Sequence, residues 1–105
     1  MKIVVKKAGQ MPEVREVENE LHVFQEIVGG YIECFQIFDD VLCICNEEGK
    51  LKGLPINFAF AGDIIVGDVF FCAENEGDFE SLYEYQVNIL MRVFTSIEKN
   101  RKNVT

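Results

Sequence analysis

The chain has 105 residues, 49% of them apolar and 27% charged, which is room for one domain around one core and leaves little case for disorder. Ten basic residues against eighteen acidic ones give a net charge of -8, so a polyanion is repelled on average and generic DNA or RNA binding is disfavoured. No apolar run approaches the roughly 20 residues that span a bilayer, and Met1 to Lys7 is too short and too charged for a secretion signal. The expectation is a cytoplasmic protein with no membrane association, one globular domain over 1–105 and a tail that frays from about residue 99.

Lys2 to Lys6, rich in Val and Ile, predicts a first strand. Ala8 to Pro12 reads as a loop, and Glu13 to Val17 alternates like an edge or half-buried strand. Asn19 suits a helix cap through its side-chain oxygen. Leu21, Phe24, Ile27 and Val28 then share one stripe of a helix of about ten residues, and Gly29 is placed to end it in a left-handed turn.

Tyr31–Ile37 and Val41–Cys45 predict two strands joined through Phe38-Asp39-Asp40. Asn46-Glu47-Glu48-Gly49 predicts a turn with Gly49 free to take positive φ. Lys50 to Leu54 reads as a short strand or extended loop, and Pro55, which has no N–H to give a ladder, as a loop or edge position. Asp63 to Cys72 holds two apolar clusters about Gly67-Asp68, a bulged strand or a tight corner. Phe70 and Phe71 point opposite ways on a strand, so one of them is expected to be exposed or covered by the second helix.

Glu74 to Gly77 predicts a solvated turn, with Asp78 capping a long helix from about Phe79 to Glu98. Its core face is expected to carry Phe79, Leu82, Tyr83, Gln86, Leu90, Val93, Phe94 and Ile97, and its wet face Glu84, Asn88, Arg92 and Ser96.

Val28-Gly29-Gly30-Tyr31-Ile32, Asn46-Glu47-Glu48-Gly49 and Leu54-Pro55-Ile56-Asn57 stand in an order that resembles a family of short uncharacterised proteins, a domain of unknown function, over roughly residues 3 to 72. The resemblance implies an origin in phages, plasmids and gut-type bacteria, and supplies no activity.

Cys34, Cys43, Cys45 and Cys72 invite a metal reading. The C-x-C spacing puts Cys43 and Cys45 on one face of a strand, and a symmetric hairpin about Asp39-Asp40 would set Cys34 opposite Cys45 on that face. No C-x2-4-C knuckle is present, however, and all four lie in apolar runs, so buried thiols are expected ahead of zinc or a disulfide. His22, the only histidine, has Glu18 and Glu26 a turn away but no nucleophile nearby in sequence. There is no G-x-S-x-G elbow and no glycine-rich phosphate loop, so no catalytic residue, metal or cofactor is nominated.

The fold expected is α+β: a small, mostly antiparallel sheet or partly open barrel of about five or six strands with two helices. The function expected is that of a non-enzymatic accessory protein of a mobile element, acting by protein–protein binding. Capture of a small ligand, such as a nucleotide, and an enzyme of undetected type are the alternatives. Asn46, Glu47, Pro55 and Asn57 are the nominated binding residues, because solubility does not require two asparagines and two glutamates around Leu54-Pro55. An acidic surface that mimics nucleic acid is a further reading of the charge, against plain solubility.

Overall fold

The computed structural model describes residues 1–103, and the fold is α+β. The elements are β1 (Lys2–Lys6), β2 (Glu13–Glu16), α1 (Leu21–Val28), β3 (Ile32–Phe38), β4 (Val41–Asn46), β5 (Ile56–Phe60), β6 (Asp63–Val66), β7 (Val69–Asn75), β8 (Asp78–Glu80) and α2 (Glu84–Asn103). Five strands form an open antiparallel sheet in the order β2-β1-β7-β4-β3, and β8 pairs with the far end of β7. The strands β5 and β6 form a separate two-stranded hairpin, so the sheet is not a closed barrel.

Both faces of the central strands are apolar, which is why β4 and β7 read as continuous hydrophobic runs. Val4, Val41, Cys43, Val69 and Phe71 point to one side, into a core shared with Leu90 and Phe94 of α2 and Phe58 of β5. Ile3, Val5, Leu42, Ile44, Phe70 and Cys72 point to the other, under Phe24 and Val28 of α1. Phe70 and Phe71 are therefore both fully buried, one beneath each layer. Phe94 stands edge-on to Phe58 and tilted against Phe71, each at 4.8 Å between centroids, which ties the β5–β6 hairpin to α2 and to β7.

Several local expectations change. Asn19 does not cap α1; its amide donates to Phe79 O at 3.0 Å, and Glu20 holds the cap position with no side-chain bond. Gly29 does close the helix, at φ 80 with its N–H on Gln25 O. Asp78 opens β8 instead of a helix, because Glu76 (φ 52) and Gly77 (φ 88) both take positive φ and make a tight hairpin turn. Phe79 thereby joins the α1 side of the core, 5.5 Å from Phe24. The second helix starts only at Glu84, where Gln86 Oε1 accepts the Tyr83 N–H at 2.7 Å in the manner of a capping box. Its buried residues are Gln86, Val87, Leu90, Phe94 and Glu98, while Tyr83, just ahead of it, and Val93 lie exposed. The helix runs to Asn103, and 104–105 lie outside the described residues.

The β3–β4 hairpin carries the largest correction. Phe38 pairs with Val41, but Ile32 pairs with Asn46 and Cys34 with Ile44, the register shifting between Gln36 and Phe38. The extra residue moves every position beyond it to the other face. Cys34 therefore lies on the opposite side of the sheet from Cys43 and Cys45, and is exposed.

Candidate functional site

The three segments that carry the family resemblance meet in space. Asn46 ends β4 with its amide turned back onto α1: Nδ2 donates to Val28 O at 3.1 Å, and Oδ1 accepts the Glu48 N–H at 2.8 Å. That satisfies a carbonyl of the last helical turn and shapes the following turn at once. Gly30 makes room for it, since a Cβ there would stand 2.9 Å from Asn46 Nδ2. Gly49 is needed for space and not for positive φ: a Cβ would meet Val66 Cγ2 at 2.9 Å. A Cβ on Gly67, which also has φ +77, would meet Leu54 Cδ1 at 2.7 Å, and Gly67 N donates to Pro55 O at 2.7 Å.

Asn57 lies on the far side of this knot and is fully buried. Its Nδ2 donates to Lys6 O and Gly67 O, both at 2.8 Å, and its Oδ1 accepts Lys6 Nζ at 3.0 Å. Lys6 is itself fully buried; its ammonium spends its remaining protons on Lys7 O and on Glu98 Oε1, each at 2.8 Å. Arg101 closes the cluster, with Nη1 3.3 Å from Glu98 Oε1 and Nη2 donating to Asn57 O. Glu98 Oε2 is buried without a partner. Burial pushes the Lys6 pKa down, and the Glu98 carboxylate holds it part of the way back.

The nominated residues are thus divided. Asn46 and Glu47 line a cleft of about 230 Å3 with Glu33, Cys45, Lys50 and Asp63, whereas Asn57 is in the interior and Pro55 is exposed between them. Both asparagines are spent on the fold, and the expectation that they lack structural duty does not hold; of the four, Glu47 and Pro55 are open to solvent. Lys50 Nζ lies 2.5 Å from Asp63 Oδ1 across the cleft mouth, a pair that holds the Asp63 pKa below the ordinary carboxylate value. His22 sits 3.2 Å from Glu20 on an exposed helix face.

A second concavity lies away from all four nominated residues. Ile37 and Phe38 of β3, Phe58, Ala59 and Phe60 of β5, and Ile89, Val93 and Ile97 of α2 wall a groove of about 220 Å3 that is almost wholly apolar. Ile89 and Val93 stay 38% and 44% exposed along it. The signal in the sequence was the width of the α2 stripe: Ile89, Val93 and Ile97 continue it past the arc that one sheet covers.

Among the described residues no group of three His, Cys, Asp or Glu side chains is arranged to hold a metal, and no helix is long and apolar enough to cross a membrane.

The chain belongs to the family described as a domain of unknown function (DUF3846), which matches residues 1–95. No curated protein and no solved structure matches it.

Proposed function

We propose that the protein is a non-enzymatic accessory protein that acts by binding a protein partner, and that the apolar groove between β3, β5 and α2 is the working surface. The observation that carries this reading is the groove itself. It sets Ile89 and Val93, one helical turn apart and both open to water, beside Ile37, Phe38, Phe58 and Phe60 in one continuous apolar concavity, where the other exposed apolar residues do not line it, and large unmatched apolar surfaces mark interaction sites. Its volume of about 220 Å3 suits side chains offered by a protein; sites for drug-sized ligands run from about 300 Å3 upward. The mobile-element setting rests on the resemblance to short phage and plasmid proteins alone. A small ligand in the Asn46–Glu47 cleft is the second reading, weakened by the Lys50–Asp63 pair at its mouth.

Panning a random displayed peptide library on the immobilised protein tests the proposal. The reading expects enriched sequences that no longer bind Val93→Glu, a variant whose melting temperature stays close to that of the parent because the site is already half in water. No enrichment over a blank surface, or binding indifferent to Val93→Glu, would contradict it.

A further inference from the structure

The groove runs into the outer edge of β3, and that edge is open. β3 pairs with β4 on one side and, among the described residues, with no strand on the other. Its counterpart at the far edge of the sheet, β2, is short and carries Glu13, Arg15 and Glu16, the usual guard against further pairing. β3 is longer and has one charged side chain, Glu33.

The register tells which backbone groups are free. Glu47 N donates to Tyr31 O at 2.8 Å, continuing the β4 ladder by one pair. Hydrogen-bonded pairs alternate along an antiparallel ladder, so Glu33 and Phe35 exchange their bonds with Cys45 and Cys43. The N–H and C=O of Ile32, Cys34 and Gln36 therefore face outward. On the groove side of the sheet the β3 side chains are Glu33, Phe35 and, across the bulge, both Ile37 and Phe38, the first in the acidic cleft and the last two in the apolar groove.

Charge selects the occupant. From Tyr31 to Gly49 the chain holds Glu33, Asp39, Asp40, Glu47 and Glu48, and no lysine or arginine; Lys50, which lines the same cleft as Glu33 and Glu47, is paired with Asp63. Acid thus flanks the apolar wall at both ends, at Glu33 and at the Asp39-Asp40 turn. Deepening the proposed binding function, on which it rests, we infer that β3 accepts an extended segment of a partner protein as an added strand. That segment carries large apolar side chains at its centre, for the groove, and lysine or arginine toward its ends, on the same face. Backbone bonds to Ile32, Cys34 and Gln36 supply affinity, and the alternate side chains supply selectivity. A second copy of this chain is the poorer occupant, because its own β3 would bring the same acids to the seam.

The probe is a short synthetic peptide in which threonine alternates with lysine, isoleucine, isoleucine and lysine, compared by titration with its glutamate-for-lysine counterpart and with a version N-methylated on alternate backbone nitrogens. The protein is used as the full chain and as Cys34→Pro, a substitution that removes only an outward N–H and is tolerable at an edge. The lysine peptide should bind at least about tenfold more tightly than the glutamate peptide, with a steep salt dependence, and about tenfold more tightly than the N-methylated one; Cys34→Pro should lose a similar factor. If Cys34→Pro does not fold, the N-methylated peptide still decides. Binding that is lost in Val93→Glu but indifferent to N-methylation and to Cys34→Pro would overturn strand addition and leave the groove as a binding surface. Equal binding of the two charge types would overturn the basic partner. Pairing of two copies through β3, seen as a dimer in sedimentation that Cys34→Pro abolishes, would overturn it in favour of self-association. No binding of any peptide, with none enriched in the library, would remove the proposed function itself.

Discussion

Lys6 and Glu98 are both 0% exposed, and their 2.8 Å contact joins the last residue of β1 to the last buried turn of α2. Two charges taken out of water cost several kcal/mol each and recover it only when well paired. Glu98→Leu should therefore cost about 3–5 kcal/mol by leaving the ammonium unmatched, and Lys6→Met in the same chain should return most of that loss. Chemical denaturation of the two single variants and the double variant measures it; additive losses would contradict a coupled pair. Asn57 stands in the same cluster with all its amide atoms bonded, so Asn57→Ala should cost about 1–3 kcal/mol for the buried groups it strands. Glu47→Ala, at an exposed position, should stay within about 0.5 kcal/mol. Equal melts for the two variants would argue against the assigned roles. None of this was legible in the sequence: an asparagine that shapes a loop and one that binds a ligand look alike until its partners, 51 residues away, are known.

At the scale of elements, most strands and the closing glycine of α1 could be read from alternation and turn residues, because those signals are local. The β3–β4 bulge could not, since one inserted residue in an apolar run leaves no trace in the pattern while it reverses the face of Cys34. The start of α2 departs from the sequence pattern for a related reason: Asp78-Phe79-Glu80 follows a helix-like spacing, but the Glu76-Gly77 turn recruits it to β7. That turn is testable. Gly77 has φ +88, and Gly77→Ala should destabilise by about 1–2 kcal/mol through the left-handed penalty, with open space at the Cβ position excluding a clash. The buried thiols of β4 and β7 give a pH prediction. Burial pushes Cys45 up to about 11 and Cys72 up to about 12, and raises Cys43 well above its ordinary 9.0. The unfolded thiols ionise first, so stability is whole below about pH 9 and falls as pH rises toward the folded values, by up to about 1.4 kcal/mol per unit per thiol. Lys6, whose pKa is lowered from 10.5, acts in the opposite sense over part of that window, and one lysine does not offset three thiols. Denaturation midpoints between pH 8 and 11 should fall, and should fall less for a variant with all three thiols replaced by alanine. A midpoint that rises would contradict the assignment.

For the whole molecule, the α+β class and the two helices were legible, while the layering was not. α1 covers one side of the sheet, and α2 with the β5–β6 hairpin covers the other; the gap left between that hairpin and α2 is the groove. The residues Gly30, Asn46, Gly49, Pro55 and Asn57 are accounted for by close backbone approach and hydrogen bonding, which leaves the groove and the β3 edge as surfaces the fold does not itself use. Amide hydrogen exchange with and without the lysine-isoleucine peptide tests that most directly. In the free protein the outward amides of Ile32, Cys34 and Gln36 should exchange fast while those of Glu33 and Phe35 are protected, and the peptide should slow the three outward ones and leave unchanged the amides of Leu54, Ile56 and Asn57, which lie outside the cleft that holds Glu33. Outward amides already protected without peptide, or protection that appears at Leu54, Ile56 and Asn57 instead, would contradict it.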